Sequence, residues 1–235
     1  MKNIIIIGAS GQGSVVLDCI KSEGKYNPVG FVDSYKKKGT YLTDYPILGN
    51  EFDIPKLISE YGIIGGIVAI GDNWTRRLII ERILKIYPNF NFITTIHSSA
   101  IVSESAFIGR GVAIMPGAIV NSGSEIGDFC FLNTKSSLDH DSTMGPYSSL
   151  APNVNTGGNL VLGGFSVVCI GSNIIENIEI GEHTVVGAGS LVLDHLPDRV
   201  VAYGSPAKIR RIREIGEPYL GRAAKSNNID FEFLK

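Results

Sequence analysis

A histidine between two carboxylates is the clearest candidate for chemistry in this sequence of 235 residues. Asp139, His140 and Asp141 follow one another directly. An imidazole with its ordinary pKa of about 6.5 can remove a proton at neutral pH, and Asp141 could hold the ring in one tautomer. A lone histidine is more often a solvated surface residue, but the two flanking carboxylates favour His140 as a general base.

A metal centre is a poor alternative, because no two histidines have the spacing of metal ligands on one face. The four histidines are His97, His140, His183 and His195. The three cysteines lack a CxxC spacing and are odd in number, so we predict reduced, buried thiols in a cytosolic protein. They are Cys19, Cys130 and Cys169.

A glycine-rich loop, GASGQG at residues 8–13, is the second candidate site. It lies between an apolar strand predicted at 3–7 and a helix predicted at 14–20. Glycines let backbone N–H groups approach a phosphate, and the N-terminus of a helix favours an anion. The spacing differs by one residue from GxGxxG, so the alternative is a tight strand-to-helix turn that binds nothing.

Two further segments favour a nucleotide at the same edge of the predicted sheet. Asp33 closes the second strand about 20 residues after the loop, where an acidic side chain can contact a ribose. Gly71 and Asn73 follow the third strand, and Arg76 lies in the first turn of the next helix, from which it could reach a phosphate. The segment is too short for a complete dinucleotide fold, so a mononucleotide or a nucleotide-sugar fits better than NAD.

The longest pattern in the chain is a run of sixteen hexapeptides without interruption from Ser99 to Asp194. An aliphatic residue occupies every sixth position from Val102 to Val192, with Thr156 as the exception. A period of six fits neither a helix nor a plain strand, and it predicts a parallel β-helix with three hexapeptides in each triangular coil. Burial of each aliphatic side chain is worth about 1.5–3 kcal/mol, so together these side chains supply a large core.

These patterns predict three parts. Residues 1–96 form a Rossmann-like α/β domain, because strands and helices alternate there. Residues 97–194 form the β-helix, and residues 195–235 form a cap and tail over its end. The α/β strands are predicted at 3–7, 29–33, 66–71 and 90–96, and the helices at 14–20, 54–61 and 75–87. In the tail, a helix is predicted to start at Ser205 and Pro206, and a short strand at 229–233.

Charge and hydropathy argue against a nucleic-acid binder, a membrane-spanning protein and a secreted protein. A net charge of −2 argues against a nucleic-acid binder. No apolar run approaches the length of about 18 residues that crosses a membrane, and the apolar run at the start is too short for a signal peptide. We therefore predict a cytoplasmic protein without membrane insertion.

Six motifs occur in this chain in an order by which it resembles the bacterial nucleotide-sugar acetyltransferases. This family is also called the sugar O-acyltransferase or sialic acid O-acetyltransferase family. They are the GASGxG loop, GDN followed by Arg76, His-Ser-Ser-Ala at the domain junction, the unbroken hexapeptides, Asn133-Thr134 before Asp139-His140-Asp141, and the segment Gly204–Lys208. The likeness spans residues 1–213. It implies that the β-helix is left-handed.

The resemblance implies a homotrimer that binds acetyl-CoA between neighbouring β-helices and a nucleotide-linked sugar in the small domain, with no metal. It makes His140 the general base and Asp141 its acidic partner. The nucleotide-sugar residues would be Gly8, Ser10, Gly11, Gln12, Gly13, Asp33, Ser34, Gly71, Asn73 and Arg76. The acetyl-CoA residues would be Ser149, Gly158, Ile170, Gly187, Ala188, Gly204, Pro206, Ala207 and Lys208.

This chain departs from the family pattern at three positions. Gln12 stands where the glycine loop commonly carries histidine, which changes a polar contact near the sugar. Ser98 replaces a proline at the junction. Ser149 stands where some members carry a second histidine near the thioester, so an account of catalysis with two histidines does not apply here.

The activity expected from this resemblance is transfer of acetyl from acetyl-CoA to an amino group, at C4, of a nucleotide-linked sugar. His140 would remove a proton as the amine attacks the thioester, and a backbone N–H near Gly158 would stabilise the oxyanion. One alternative is O-acetylation of a sialic acid or a related sugar by the same base. Another, of a different class, is a nucleotide-sugar-binding assembly protein without catalysis.

Overall fold

The computed structural model describes residues 1–220. The strand predicted at 229–233 lies outside the described residues. Among residues 1–220, no helix combines the length and the apolar character needed to cross a membrane.

The first part of the chain is a five-stranded sheet with helices packed on it. Its elements are β1 (Lys2–Ile7), α1 (Gly11–Glu23), β2 (Tyr26–Val32), β3 (Tyr41–Leu42), β4 (Tyr45–Gly49), α2 (Ile54–Tyr61), β5 (Gly66–Val68) and α3 (Asn73–Ile86). The strand order is β3-β4-β2-β1-β5, and β1 pairs in parallel with both β2 and β5. The four isoleucines of β1 are buried, as expected for a central parallel strand. The sequence did not predict the short strands β3 and β4.

The hexapeptides form sixteen strands of two residues each, β7 to β22, and each aliphatic position is the second residue of its strand. These strands are Ile101–Val102, Phe107–Ile108, Ala113–Ile114, Ile119–Val120, Glu125–Ile126, Phe131–Leu132, Ser137–Leu138, Thr143–Met144, Ser149–Leu150, Asn155–Thr156, Val161–Leu162, Val167–Val168, Asn173–Ile174, Glu179–Ile180, Val185–Val186 and Leu191–Val192. Together with the α/β part, they confirm the predicted combination of a Rossmann-like domain and a left-handed parallel β-helix.

Three flat faces make up the β-helix. The first face contains β7, β10, β13, β16, β19 and β22, the second contains β8, β11, β14, β17 and β20, and the third contains β9, β12, β15, β18 and β21. Neighbouring strands on a face are one coil apart, so Val120 pairs with Leu138. Every sixth side chain therefore points into the same core, and Thr156 is buried there with the aliphatic residues.

The chain enters and leaves the β-helix along the third face. Strand β6 (Thr95–Ile96) pairs with β9, whereas Phe92 still bridges to Gly66 of the α/β sheet. The strand predicted at 90–96 is therefore divided between the two sheets.

The helix predicted to start at Ser205 and Pro206 is wrong. Residues Val200–Gly204 form β23, which pairs in parallel with β21, and Ala207–Ile212 form β24, antiparallel to β23. An uncovered strand edge exposes unpaired N–H and C=O groups. The hairpin satisfies the edge of β21, which a helix could not do.

A column of stacked rings joins the β-helix to the α/β domain. Phe129, Tyr147, Phe165 and His183 recur at intervals of one coil in the corner between the second and third faces, and successive ring centroids lie 4.6–5.1 Å apart. Trp74 of α3 packs against Phe165 with a centroid distance of 5.7 Å. This column gives α3 a rigid surface on which to dock.

Candidate active site

His140 lies in the corner between the first and second faces, two residues after the end of β13. Its Nδ1 is 2.8 Å from Oδ2 of Asp141, and its side chain is 52% exposed. The hydrogen bond to Asp141 raises the pKa of His140 above its usual value of 6.5. Because the carboxylate accepts the Nδ1 proton, Nε2 of the neutral ring is the nitrogen that can take up a proton.

Two local features hold His140 in this position. Asp141 adopts a left-handed conformation with φ of 55°, which brings its carboxylate back beside the preceding ring. Asp139 accepts hydrogen bonds from the backbone N–H of His140 and from Nδ2 of Asn121, and both bonds lower the pKa of Asp139. Asp139 therefore fixes the backbone of the corner, whereas Asp141 orients the imidazole.

Gly158 lies one coil along from His140 in the same corner. A Cβ atom built on Gly158 would lie 2.5 Å from both Cε1 and Nε2 of His140, so only glycine leaves room for the ring. The Gly158 N–H has no hydrogen-bond partner within residues 1–220. The same hexapeptide position holds a proline in three other corners, at Pro116, Pro146 and Pro152, and there the chain has no N–H to offer. The corner therefore presents a free backbone donor beside the imidazole.

The glycine loop lies at the carboxyl edge of β1. The first N–H groups of any helix lack intrahelical acceptors, and in α1 the side chain of Ser10 does not cap them either. A Cβ on Gly11 would meet nothing within 4 Å, whereas one on Gly13 would lie 2.3 Å from the carbonyl oxygen of Gly8. Gly11 thus borders open space, and Gly13 allows α1 to pack against the loop.

Asp33 and Ser34 are both engaged within the protein. The carboxylate of Asp33 accepts a hydrogen bond from Ala9 N (2.7 Å) and from Tyr35 N (2.8 Å). Ser34 donates through its hydroxyl to Glu51. Asp33 therefore orders the glycine loop, and its contact with a ribose stays a prediction.

The expectation that Arg76 reaches a phosphate is wrong, because this side chain is fully buried. Its guanidinium donates to Phe129 O (2.9 Å), Ile70 O (2.8 Å) and Tyr147 O (2.9 Å), and it stacks on Phe131. Burial lowers its pKa. Arg76 thereby joins the edge of the α/β sheet to two coils of the β-helix.

Asn73 and Ser149 belong to the same buried network. Ser149 donates its hydroxyl to Oδ1 of Asn73 (2.7 Å), and Asn73 donates to Ser166 O (3.1 Å). Both side chains are 2% exposed. The expectations that Asn73 contacts the nucleotide-sugar and that Ser149 contacts acetyl-CoA are wrong for these side chains, because neither is open to a ligand.

The remaining residues expected at acetyl-CoA lie in two places. Gly158 is beside His140, but Ile170, Gly187 and Ala188 lie in the corner between the third and first faces. The β23–β24 hairpin continues this second group with Gly204, Pro206, Ala207 and Lys208. A Cβ on Gly187 would lie 2.7 Å from Cβ of Tyr203. Any larger residue at this position would therefore clash with the hairpin.

A cavity of about 410 Å³ lies between the α/β domain and the third face of the β-helix. It brings together Gln12, Gly71 and Ile170, three residues that the sequence had assigned to two different ligands. Tyr219 and Leu220 from the tail complete its wall, and the Tyr219 hydroxyl donates to Gly71 O (2.8 Å). No pattern in the sequence marked Tyr219 or Leu220 as site residues.

The described part of the chain contains no group of three or more histidine, cysteine or acidic side chains arranged to hold a metal ion. The three cysteines are free thiols. Burial raises the pKa of Cys169 to about 11, so this thiol is neutral at physiological pH.

Over part of its length, this chain is similar to one family of protein domains and to curated N-acetyltransferases. Residues 3–83 match the family model described as the PglD N-terminal domain. A segment of 119 residues is 34% identical to UDP-N-acetylbacillosamine N-acetyltransferase of Bacillus subtilis (strain 168), covering 49% of this chain and 52% of that protein. A segment of 91 residues is 31% identical to GDP-perosamine N-acetyltransferase of Escherichia coli O157:H7, covering 39% of this chain and 40% of that protein. The matched segments therefore span about half of the length of the first of these curated relatives and less than half of the second.

Solved structures match over much more of the chain. PerB from Caulobacter crescentus, in complex with CoA and GDP-perosamine, is 34% identical with a TM-score of 0.83, over 90% of this chain and 98% of PerB. The acetyltransferase domain of PglB from Neisseria gonorrhoeae FA1090, in complex with acetyl coenzyme A, is 30% identical with a TM-score of 0.82, over 89% of this chain and 99% of that domain.

Proposed function

Because this chain belongs to the family of bacterial nucleotide-sugar acetyltransferases, we propose that it transfers the acetyl group of acetyl-CoA to an amino group of a nucleotide-linked sugar. The observation that carries this proposal is the His140–Asp141 pair beside the free N–H of Gly158. A general base and an oxyanion donor are the two groups that acyl transfer to an amine requires. The related enzymes named for GDP-perosamine and UDP-N-acetylbacillosamine support an amino sugar as acceptor.

The reaction follows from this arrangement of groups. The sugar nitrogen attacks the thioester carbonyl, and a C–N bond forms while Nε2 of His140 takes a proton from the nitrogen. The Gly158 N–H stabilises the negative charge on the carbonyl oxygen. The C–S bond then breaks, and the CoA sulfur leaves with the proton returned from His140. Asp141 stabilises the imidazolium that exists between these two transfers.

We propose further that the active enzyme is a homotrimer. In one chain, the residues proposed for catalysis and those proposed for acetyl-CoA binding lie in two different corners of the β-helix. His140 and Gly158 lie between the first and second faces, whereas Ile170 and Ala188 lie between the third and first faces. Parallel packing of β-helices would bring the first of these corners in one chain to the second in its neighbour. Acetyl-CoA would then lie in the groove between the two chains.

The parts of the chain have separate roles in this proposal. Residues 1–96 bind the nucleotide, residues 97–194 carry acyl transfer, and the β23–β24 hairpin of the third part caps the β-helix. A cytoplasmic location is supported by acetyl-CoA as co-substrate and by the three free thiols.

The proposal is tested with acetyl-CoA, a thiol reagent that detects released CoA, and a set of UDP-, GDP- and dTDP-linked amino sugars. We expect CoA release with at least one of these sugars and an acetamido product by mass spectrometry. An acetyl ester on the product would instead support O-acetylation. Stabilisation by a nucleotide-sugar without CoA release would support a binding protein.

A further inference from the structure

The chain after the β23–β24 hairpin crosses from the end of the β-helix to the α/β domain. Residues 214–220, which we call the strap, start directly after Arg213, and the last two of them line the cavity described above. Midway, the strap passes so close to α3 that a Cβ built on Gly216 would lie 2.9 Å from Nε1 of Trp74. The strap lies beyond residues 1–213, the segment that resembles the family, so the resemblance assigns it no role.

The first half of the strap is attached to the β-helix by several hydrogen bonds. Arg213 is buried, and its guanidinium donates to His183 O (2.9 Å) and to Glu217 O. Arg211 of β24 donates to the two carboxylate oxygens of Glu217 at 2.5 and 3.0 Å. The Glu217 N–H donates to Glu214 O (3.2 Å) and closes a turn. Because hydrogen bonds between charged groups are the stronger kind, this half of the strap stays with the β-helix.

The second half of the strap is held by fewer contacts. Within residues 1–220, its one hydrogen bond to the α/β domain runs from the Tyr219 hydroxyl to Gly71 O (2.8 Å). Leu220 lies beside this bond, since a Cβ on Gly71 would be 3.3 Å from Cδ1 of Leu220, yet Leu220 is 53% exposed. A single hydrogen bond between uncharged groups is weaker than the contacts of the first half. The strap therefore detaches at Gly71 before it detaches from the β-helix.

Gly71 is a fixed point of attachment. Its carbonyl oxygen also accepts a hydrogen bond from Nη1 of Arg76 (3.1 Å), and the Arg76 side chain is fully buried between the two parts of the chain. When Tyr219 moves away, the carbonyl keeps this donor and stays in place. Detachment thus leaves no buried acceptor unpaired, which keeps its free-energy cost low.

The closed strap leaves room for a ligand. With Tyr219 and Leu220 in its wall, the cavity still has a volume of about 410 Å³, which is within the range of small-molecule sites. Gln12 and Gly71, which the resemblance assigns to the nucleotide-sugar, line the same cavity. The strap is therefore not a plug that competes with a ligand, and its closed position is compatible with an empty and with an occupied cavity.

We propose that the strap is a gate for this cavity and that the hydrogen bond between Tyr219 and Gly71 is its latch. The nucleotide-linked sugar enters and leaves when Tyr219 detaches, and the latch closes again over the bound ligand. The identity of the ligand rests on the proposed function, whereas the movement of the strap does not.

A native thiol reports on the latch without any ligand. Cys169 is free and lines the same cavity as Tyr219, whereas Cys19 and Cys130 are completely buried. Iodoacetamide should therefore modify Cys169 first, and peptide mapping by mass spectrometry identifies the modified thiol. Each opening of the strap exposes Cys169, so its rate of alkylation follows the population of the open state.

Tyr219→Phe in the full chain removes only the hydroxyl of the latch. Loss of one hydrogen bond between uncharged groups shifts an opening equilibrium about 2- to 12-fold, and we expect alkylation of Cys169 to accelerate by this factor. Tyr41→Phe is the matched control, because Tyr41 is an exposed tyrosine of β3, and it should leave the rate unchanged. Equal rates in the wild type and both variants would overturn the latch. Acceleration at Cys130 as well as at Cys169 would indicate general loosening of the fold and would overturn it too.

Stopped-flow binding tests the gate, with the UDP-, GDP- or dTDP-linked amino sugar that supports CoA release as the probe. Because the latch closes over both the empty and the occupied cavity, Tyr219→Phe should raise the association and dissociation rate constants together, by about 2- to 12-fold, and leave Kd nearly unchanged. A rise in the dissociation rate constant alone would make the strap a fixed wall of the cavity and would overturn the gate. If no sugar supported CoA release, the proposed transferase function would fail, whereas faster alkylation of Cys169 in Tyr219→Phe would still support the latch.

Discussion

Nδ1 of His140 lies 2.8 Å from Oδ2 of Asp141, the next residue in the chain. Adjacent side chains normally point apart, and the left-handed φ of 55° at Asp141 brings these two together. Aspartate tolerates this conformation better than most residues. In this corner of the β-helix, the imidazole of His140 is thus oriented by the carboxylate of the next residue in the chain.

We expect His140→Ala to lower kcat by about 10²–10⁴-fold, the usual cost of removing a general base. The affinity for the nucleotide-sugar should change little, because His140 lies in the β-helix and not at the carboxyl edge of the α/β sheet. Steady-state kinetics and calorimetry measure the two effects. Near-wild-type turnover would show that another group removes the proton.

Asp141→Asn should change the pH profile as well as the rate. Asp141 raises the pKa of His140, and a base works only when it is deprotonated. In the wild type, kcat/KM should therefore fall as the pH drops through this raised pKa. In Asp141→Asn the pKa of His140 falls, so the acidic limb should move to lower pH while the maximal rate decreases. An acidic limb at the same pH in both proteins would assign that limb to another group.

Gly158→Ala should reduce kcat without unfolding the protein. The added Cβ would lie 2.5 Å from Nε2 of His140, so the ring must move away from its position near the free N–H. Gly164→Ala is the matched control: Gly164 occupies the equivalent position in the next corner, where a Cβ would be 3.2 Å from Pro146 O. We expect similar melting temperatures for the two variants and a loss of turnover only in Gly158→Ala. Equal turnover would mean that the placement of the ring does not limit the reaction.

The two ligands should bind to separable regions. A Cβ at Gly11 would meet no protein atom within 4 Å, so we expect Gly11→Val to fold normally and to block only an approaching phosphate. Ala188 is exposed, and Ala188→Trp should fill the acetyl-CoA groove instead. Calorimetry with both ligands should show nucleotide-sugar binding weakened in the first variant and CoA binding weakened in the second. The reverse pattern would contradict the proposed division between the domains.

Light scattering should give a mass about three times the 25.3 kDa of one chain. Mixing of two inactive variants then tests whether the site is shared between chains. In a trimer of His140→Ala and Ala188→Trp chains, some grooves combine an intact His140 from one chain with an intact Ala188 from its neighbour. Random co-assembly should restore about a quarter of the wild-type sites. Absence of any recovery in verified mixed trimers would place both residues of a site in one chain.

The sequence alone was sufficient to predict the repeating part of the fold. A side chain that enters the core at every sixth residue can do so only if strand and corner repeat with that period, and the aliphatic series from Val102 to Val192 marks each strand. The candidate base was equally accessible, because His140 and Asp141 are neighbours in the chain. The glycine loop also follows its predicted strand, and its last three residues form the first turn of α1, which begins at Gly11 and not at residue 14.

Only the tertiary structure decided the roles of residues whose partners are distant in the chain. Arg76 has the charge and position of a phosphate ligand, but its acceptors include Phe129 O and Tyr147 O, 53 and 71 residues away. The sequence after Gly204 has the features of a helix start, yet it forms β24, because β23 covers the edge of β21 and β24 pairs with β23. Gln12, Ile170 and Tyr219 meet in one cavity because the α/β domain and residues 219–220 both lie against the third face. Periodicity and local motifs carry no information about such packing, because it depends on which distant surfaces are buried together.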